Sequence, residues 1–466
     1  MMVALIDDGI DPGSVPLERL KYDLSISDAG LIENRNPHDR ILTDHGTTCA
    51  KIILKYSTSV EFCSLRIFHT TELHASCAQL IAAMQWCYEK KIPIVHLSIG
   101  SGFPSEHWGL RNIIAQMLHQ HQIIVAAASN TDWYSTPASI AGVISVKADP
   151  QMSGFEYSVA SDTDRIAFRA SSKHEIEKGR DISYLTQVAN SYAAPTVTAA
   201  VNNYLTKHPS STKSLRQVIC GISSNSRTLC FAKPDFISNA HLVNPFKLPI
   251  LKQYLFFNCI DEVHTLEQIK GLTDTEDIVF IVPYQSAWYN AAFRFLSQNP
   301  SSFFGIAYCT RMPCREWTTK EVEFEWQEND NDFFWERRIR GQSSMCPIIR
   351  INGNGIIPLQ ILCKLRERFI LDGYECIGFS DFQFCYLYGL DYIPDHVSEF
   401  KAIQLTNSYY QPDLMIYYIQ HTQTMPEVNT PDYTISVVRQ YTITSSMLQR
   451  RVKGKSSEII DTFDDE

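Results

Sequence analysis

Three observations predict an α/β fold, in which a parallel sheet is flanked by helices and a second α/β domain follows. Apolar, strand-like runs alternate with helix-like stretches through the first 206 residues, the pattern of a parallel sheet covered by helices. A polar stretch interrupts this alternation, and further apolar runs follow it. The chain has 466 residues, 44% of them hydrophobic, which is enough for two or three domains with sizeable cores.

The elements of the first domain can be placed by their hydrophobic patterning. Short apolar runs are predicted to be strands at 3–6, 61–68, 93–99, 123–128 and 142–148. Stretches with apolar residues at helical spacing are predicted to be helices at 45–56, 74–89, 107–120 and 191–206. Continuous apolar strands of this kind are typical of a sheet that is buried on both faces.

Polar loops mark the end of the first domain. The segments KHPSSTKS at 207–214 and GISSNSR at 221–227 lack hydrophobic periodicity, so we predict a first domain over 1–208 and a linker over 209–248. A second α/β domain is predicted over 249–452, from strand-like runs at 254–258, 278–283, 347–352, 374–379 and 414–419. The acidic tail at 453–466 is predicted to be disordered.

Charge and composition exclude several classes of function. Asp and Glu outnumber Lys and Arg by 51 to 41, and no basic cluster with interleaved aromatic residues occurs, so we predict no nucleic-acid partner. No apolar run reaches the roughly 18 residues that a membrane span needs, and no signal peptide opens the chain. We therefore expect a cytoplasmic protein with no membrane partner. None of its 13 cysteines forms a Cys-x-x-Cys pair, so we predict reduced thiols, no metal and no cofactor.

Three short segments carry an Asp, a His and a Ser in one order along the chain. They are VALIDDGID at 3–11, HGTTCA at 45–50 and NSYAAP at 190–195, and they offer Asp7, His45 and Ser191. A serine hydroxyl is a poor nucleophile at neutral pH, so an imidazole must accept its proton during attack. A carboxylate must hold that imidazole in the right tautomer, and Asp, His, Ser is one of the chain orders in which this catalytic triad recurs.

Each of the three residues has a matching local scaffold. Asp7 follows the apolar run at 3–6, at the strand end where parallel sheets place their active sites. His45 begins a helix-like stretch, and Ser191 precedes a helix rich in small residues with Pro195 in its first turns. A helix N-terminus favours the negative charge that develops during attack on a carbonyl.

With these segments the chain resembles the subtilisin-like (subtilase) family of serine peptidases over roughly residues 1–208. That family carries Asp-x-Gly, His-Gly-Thr and Gly-Thr-Ser-Met-Ala-x-Pro motifs in this order. It also has an oxyanion-hole asparagine after an apolar run, which the resemblance assigns to Asn130 in IIVAAASN at 123–130. The segment HLSIGSG at 96–102 resembles the family's substrate-binding strand. The resemblance thus implies substrate contacts at Ser98, Ile99, Gly100, Ala127, Ala128 and Ser129.

The sequence departs from the family pattern beside two of these residues. Ala189 and Asn190 stand where the family has Gly-Thr before the nucleophile. Ser129 stands where the family has Gly before the oxyanion asparagine. Either difference can narrow the cleft or change its dynamics.

The resemblance implies a serine endopeptidase that makes limited cleavages in a specific peptide or protein, such as removal of a leader from a ribosomally made peptide. Two other functions stay open. One is a general intracellular serine peptidase, and the other is a pseudopeptidase that keeps the scaffold and binds peptides without cutting them. The predicted partner is a peptide or precursor-peptide substrate, and peptide-modifying enzymes are further candidates.

In the second domain, the segment PIIRINGNGIIPLQIL at 347–362 has a glycine-rich loop between a strand and a helix. This layout is similar to that of P-loop nucleoside triphosphatases, and to the degenerate P-loop-like modules that accompany ribosomal-peptide maturation proteins. A phosphate-binding P-loop needs Gly-x-x-x-x-Gly-Lys followed by Ser or Thr, whereas counting from Gly353 gives Pro358, Leu359 and Gln360.

We therefore predict a non-catalytic recognition domain that binds no nucleotide. An ordinary strand-to-helix turn is the simpler alternative for the glycine-rich loop. The charged and aromatic segment at 326–340 is either a contact for a peptide or a surface loop leading into a helix.

Overall fold

The chain forms two compact units, Met1–Phe231 and Ala232–Glu466, and each is described by itself. The computed structural model describes residues 1–36, 39, 41, 43–70, 74–102, 107–131, 135–140, 142–160, 167–177, 182–209, 215–223, 239–244, 247, 258–265, 267–268, 277–281, 305–309, 324–327, 345–382, 385–420, 431–437 and 443–446. The acidic tail at 453–466 and the segment at 328–340 lie outside these residues.

A mainly parallel sheet forms the centre of the first unit. Its strands are β1 (Met2–Asp7), β2 (Leu20–Ile26), β3 (Ile32–Asn34), β4 (Glu61–Arg66), β5 (Ile94–Leu97), β6 (Ile123–Ala127), β7 (Ile144–Ala148), β8 (Tyr157–Val159) and β9 (Phe168–Ala170). Within the described residues the strand order is β3-β2-β4-β1-β5-β6-β7-β9-β8. Among the strands that the structure describes in this sheet, only the edge pairs β2–β3 and β8–β9 are antiparallel. A separate hairpin joins β10 (Glu175–Glu177) to β11 (Ser183–Leu185).

Helices flank this sheet, as the sequence predicts. They are α1 (His45–Tyr56), α2 (Cys77–Glu89), α3 (His107–His119), α4 (Asn190–Lys207) and α5 (Leu215–Ile222). Helix α4 packs across β5, β6 and β7 and against α1, while α2 packs on β1 and β2. Small buried side chains on α4, such as Ala193, Ala194 and Ala200, let its backbone lie close to the sheet.

The core strands are apolar because both faces of the sheet are covered. Val3, Ala4, Leu5 and Ile6 of β1 have no solvent exposure, which is the burial that continuous apolar runs predict for parallel strands. The α/β fold class with a helix-flanked parallel sheet is therefore confirmed, and each predicted element of this unit occurs within a few residues of its expected place.

The sequence did not lead us to expect the strands at the two edges of the sheet. Strand β2 (Leu20–Ile26) mixes exposed, half-buried and buried positions, and β3 and β8–β11 are only three residues long. Edge strands bury less apolar surface than central ones, so their hydrophobic signal is weaker.

Within its described residues, the second unit contains two sheets rather than one. A five-stranded parallel sheet has the order β13-β12-β14-β15-β16, and a six-stranded sheet has the order β19-β18-β20-β17-β21-β22. The strands are β12 (Asn239–Val243), β13 (Asn258–Val263), β14 (Asp277–Ile281), β15 (Gly305–Cys309), β16 (Phe324–Gln327), β17 (Ile348–Asn352), β18 (Cys376–Ser380), β19 (Asp391–Tyr392), β20 (Leu414–Tyr418), β21 (Tyr433–Val437) and β22 (Ile443–Ser446).

The six-stranded sheet contains the predicted strand, glycine-rich turn and helix. Strand β17 runs into the turn at 353–355, and α6 (Ile356–Leu371) follows before β18. A further helix, α7 (Glu399–Tyr410), precedes β20. The likeness to a degenerate P-loop and the predicted domain limits stay predictions. Among the described residues, no helix has the length and apolar character needed to cross a lipid bilayer.

Candidate active site

Asp7 and His45 form a hydrogen-bonded pair at the carboxyl end of β1. The Nδ1 atom of His45 lies 2.9 Å from each carboxylate oxygen of Asp7, and the Asp7 side chain is fully buried. The backbone N–H of Asp8 also donates to Asp7 Oδ1, at 2.8 Å. Because a carboxylate can only accept, Nδ1 of His45 carries the hydrogen, and the lone pair of the neutral ring is on Nε2.

A second buried carboxylate, that of Asp8, fixes the start of α1. Asp8 Oδ1 accepts from the Gly46 backbone N–H at 2.8 Å, and Asp8 Oδ2 accepts from the Thr43 hydroxyl. These bonds satisfy one of the first N–H groups of α1, which have no acceptor inside the helix. A Cβ on Gly46 would lie 2.6 Å from the carbonyl oxygen of Gly9, which explains why glycine follows His45.

The two carboxylates shift the pKa of the histidine, and Asp7 also shifts the pKa of Asp8. Burial lowers the pKa of His45, but the charge and hydrogen bond of Asp7 and the charge of Asp8 outweigh burial, so that this pKa is raised. Burial and the neighbouring charge of Asp7 raise the pKa of Asp8 to about 6. The site is therefore poised to stabilise a positive charge on the imidazole.

Ser191 is the second residue of α4, and its backbone and the next side chain contact residues around this pair. The ring of the following residue, Tyr192, lies 5.5 Å from the His45 ring, centroid to centroid. The backbone carbonyl of Ser191 accepts from the Ser98 hydroxyl at 2.9 Å and lies 3.6 Å from Cys49 Sγ. Cys49 is one turn after His45 on α1, so α1, β5 and the first turn of α4 meet at Ser191.

Asn130 is hydrogen-bonded to Asn190, the residue that precedes Ser191. Its Oδ1 atom accepts from the Asn190 backbone N–H at 2.9 Å. Because this bond uses the amide oxygen, the two hydrogens of the Asn130 amide nitrogen are not consumed by it. The N–H groups in the first turn of α4 likewise have no acceptor within the helix.

Asn190, at one of the positions that depart from the family pattern, ties three segments together. Its side-chain nitrogen donates to the carbonyl oxygens of Ala128 at 3.1 Å and Ser129 at 2.8 Å. Its Oδ1 atom accepts from the Ala148 backbone N–H at 2.8 Å. This buried amide therefore holds the loop before Asn130 against the start of α4 and the end of β7.

The predicted substrate contacts lie on two segments that follow β5 and β6. Ala127 is buried, Ser98, Ile99, Ala128 and Ser129 are half-buried, and Gly100 is exposed. Among the described residues, the backbone of 98–100 takes part in no strand pairing, while Ser101 next to it bridges Thr136. An extended peptide could add along such an unpaired edge, so these contacts stay predictions.

Three buried side chains around this site are not among the site residues that the sequence predicts. They are Asp8, His96 and Asn190. Asp8 was visible as the second residue of Asp-Asp-Gly, and His96 opens the substrate-strand motif, but no spacing rule shows which partner a buried polar side chain will find.

Asp7, His45 and Cys49 also have the residue types of a metal site. One possible ligand atom of each lies within 4.8 Å of the others. However, burial and the charge of Asp7 raise the pKa of the Cys49 thiol well above its ordinary value, and a protonated thiol is a poor ligand. Both Asp7 oxygens and His45 Nδ1 are already engaged with each other, so the set fits an acid–base pair better than a metal.

Comparison with known protein families decides the identity of the first unit. The sequence model of the subtilase family, Peptidase_S8, matches residues 1–226. This part of the chain is a subtilase domain. Residues 1–226 thus match the family of subtilisin-like serine endopeptidases that the sequence motifs predict. No curated protein matches the chain.

The solved structures that resemble this chain cover about half of it. A lanthipeptide protease has 15% sequence identity, covers 47% of this chain and 78% of its own, and has a TM-score of 0.37. The prenylagaramide maturation protease PagA has 18% sequence identity, covers 48% of this chain and 89% of its own, and has a TM-score of 0.37. The epidermin leader peptide processing protease EpiP from Staphylococcus aureus has 14% sequence identity, covers 48% of this chain and 67% of its own, and has a TM-score of 0.38. Likenesses this low support neither a substrate nor a mechanism for this subtilase.

Proposed function

We propose that Ser191, His45 and Asp7 are the catalytic triad of this subtilase and that Asn130 is a donor of its oxyanion hole. The observation that carries the proposal is the Asp7 carboxylate, fully buried and 2.9 Å from His45 Nδ1 through both of its oxygens. That pairing leaves Nε2 of His45 as the free basic nitrogen. Ser191 lies at the start of α4, and a serine hydroxyl is a nucleophile that such a base activates by accepting its proton.

In the proposed reaction, Ser191 Oγ attacks the carbonyl carbon of a peptide bond as His45 Nε2 takes the hydroxyl proton. The developing imidazolium is stabilised by Asp7, in line with the raised pKa of His45. The oxyanion accepts from the Asn130 amide, whose orientation is supported by its bond to the Asn190 N–H. His45 then returns the proton to the leaving amine, and water hydrolyses the acyl-enzyme by the reverse use of the same groups.

The substrate that we propose is an extended peptide segment of one cytoplasmic precursor, cut once to remove a leader. The unpaired backbone at 98–100 supports an extended peptide, because strand addition binds main-chain groups without selecting side chains. Selection must then come from elsewhere, and a second compact unit with its own sheets offers a surface for it. A general peptidase would need no such unit.

The triad proposal is tested with a fluorophosphonate probe, which labels activated serines covalently. We expect the full-length protein to be labelled and Ser191→Ala to lose all labelling. Ser59→Ala is the matched control, because the Ser59 hydroxyl donates to Thr206 at 3.4 Å and has no part in the proposed site, so this variant should be labelled like wild type. Labelling that survives in Ser191→Ala would overturn the assignment. Absence of labelling in the wild type would instead favour the pseudopeptidase.

The substrate proposal is tested by mass spectrometry of digests with the full-length protein. A short precursor peptide encoded beside this subtilase, when one is present, should be cut at one bond, and a peptide of the same composition in shuffled order should stay intact. Cleavage of both peptides at many bonds would overturn the proposal in favour of a general peptidase.

A further inference from the structure

The first turn of α4 lacks a hydrogen bond at the proposed nucleophile. In an α-helix, the N–H of residue i+4 donates to the carbonyl of residue i. The residue four positions after Ser191 is Pro195, which lies inside α4 and has no N–H. The Ser191 carbonyl is therefore left without its helical partner.

A side chain from β5's carboxyl end takes the place of that N–H. The Ser98 hydroxyl donates to the Ser191 carbonyl at 2.9 Å. A hydroxyl has one hydrogen, so once Ser98 donates to this carbonyl it can only accept from its other partners. The thiol of Cys49 also approaches this carbonyl, but at 3.6 Å and as a weak donor.

The group that donates to Ser98 is a buried histidine. Nε2 of His96 lies 2.8 Å from Ser98 Oγ, and because Ser98 can only accept there, Nε2 carries the hydrogen. On the other side of the ring, Nδ1 lies 2.8 Å from the hydroxyl of Thr198, which belongs to α4 like Ser191. His96 has no solvent exposure.

These contacts form a closed chain from α4 through β5 and back to α4. Burial lowers the pKa of His96 to about 4, against an opposing effect of Asp7 and a further lowering by His45. The ring is therefore neutral at neutral pH. With its hydrogen on Nε2, it accepts at Nδ1 from the Thr198 hydroxyl, which also lies 3.1 Å from the Ala194 carbonyl oxygen. The hydrogen on Nε2 stays in place in either protonation state, so the bond to Ser98 does not depend on the charge of the ring.

We propose that His96 and Ser98 are positioning residues for Ser191. In this role, His96 orients the Ser98 hydroxyl, and Ser98 supplies the hydrogen bond that Pro195 cannot give. Together they hold the backbone of Ser191 at the depth where its side chain meets His45. The inference rests on the proposed role of Ser191 as nucleophile, and it concerns the chemical step more than substrate binding.

The experiment measures the rate of fluorophosphonate labelling, with kcat and KM on a peptide substrate, for the full-length chain. Ser98→Ala should lower the labelling rate and kcat by roughly tenfold, the loss of about one hydrogen bond, with KM little changed. His96→Leu should lower both by less, since Ser98 keeps its hydroxyl. The conservative variants Ser98→Thr and His96→Gln should recover most of the lost rate.

A double variant separates positioning from a general loss of stability. If His96 acts only through Ser98, the variant with both Ser98→Ala and His96→Leu should label no more slowly than Ser98→Ala alone. Gln122→Leu is the stability control. Gln122 is buried like His96 and donates to the carbonyls of Cys87 and Ile92, so its loss should lower the melting temperature and leave the labelling rate unchanged.

Each outcome decides the inference. Wild-type labelling by Ser98→Ala, or fully additive losses in the double variant, would overturn it even when Ser191→Ala shows that Ser191 is the nucleophile. A rate loss in Gln122→Leu as large as that in Ser98→Ala would overturn it too, since stability alone would then account for the loss. Labelling that persists in Ser191→Ala would refute the proposed function instead, so the two failures are distinguishable.

Discussion

The two units of this chain share a local architecture and differ in what stands at the ends of their strands. In the first unit, β1 ends at Asp7 and α1 begins at His45, so a strand end and a helix start bring a carboxylate and an imidazole together. In the second unit, β17 ends at Asn352 and runs through a turn into α6. The comparison teaches that a strand, a turn and a helix provide only the place for chemistry, and the residues there provide the function.

The polar groups at the two places are used in different ways. In the second unit, Tyr418 donates to the Gly355 carbonyl at 3.1 Å and accepts from Gln420 at 2.8 Å, and Asp381 accepts from the Gln420 backbone N–H. These groups satisfy one another. In the first unit, within the described residues, neither Nε2 of His45 nor the Ser191 hydroxyl has a hydrogen-bond partner. Groups left available in this way are what a substrate needs.

Among the variants that test this difference between the two units, Asn130→Ala is expected to have the largest effect on activity. Removing a side-chain donor from an oxyanion hole costs roughly 3 to 4 kcal/mol, a figure known from subtilisin and not from this chain. We therefore expect kcat to fall about a hundredfold or more with a much smaller change in KM. Steady-state kinetics check this, with Asn34→Ala as the control because Asn34 is exposed on the edge strand β3. Equal losses in binding and turnover would make Asn130 a structural residue.

A substitution that creates a cavity in the second unit should leave the reactivity of the active site in the first unit unchanged. Leu362 on α6 is fully buried, and Leu362→Ala should cost about 3 kcal/mol of local stability. Hydrogen exchange should therefore quicken in α6 and β18, while fluorophosphonate labelling keeps its wild-type rate. Leu371→Ala, on the same helix but 71% exposed, is the matched control. Slower labelling in Leu362→Ala would show that the second unit supports catalysis itself.

The buried Asp8 should make the first unit lose stability as pH rises. The pKa of Asp8 is raised from 3.8 to about 6 in the folded protein, so the folded state holds this proton longer than the unfolded state does. The resulting stabilisation is complete below pH 3.8 and is lost as pH rises through about 6. Asp8→Asn should therefore reduce the stability lost between pH 4 and pH 7 by about 2 kcal/mol.

Urea unfolding followed over this pH range measures the effect of Asp8. Glu18→Gln is the control, because Glu18 is exposed and should leave the pH dependence unchanged. The variant has a second readout, since Asp8 also contributes to the raised pKa of His45. Activity requires neutral His45 and rises with pH through its pKa, so the acidic limb of kcat/KM should move to lower pH. A limb that stays in place would contradict the coupling between Asp8 and His45.

How well the sequence predicts a structural feature depends on how far apart in the chain the interacting residues lie. Helix α1 and strand β1 follow from local patterning, and both occur at their predicted places. The pairing of Asp7 with His45, 38 residues apart, could be inferred only because the motifs match a known catalytic order. The bond from Ser98 to Ser191 spans 93 residues and carries no such pattern. Contacts of this kind are set by how α4 packs on the sheet, which single-residue patterns do not record.

The smallest expected effect is a null result at the glycine-rich turn of the second unit. A Cβ on Gly353 would lie 2.6 Å from Cγ of Pro358, so the proline ring lies against the turn at the position where a P-loop has glycine, and Leu359 replaces the lysine. A ligand at 100 times its Kd stabilises a protein by about 2.7 kcal/mol, a shift that thermal unfolding detects. Magnesium with ATP or GTP at millimolar concentration should therefore leave the melting curve and the labelling rate unchanged. Slower hydrogen exchange in β17 or α6 with nucleotide would reverse the comparison, because the second unit would then hold a ligand site at the same structural position as the first.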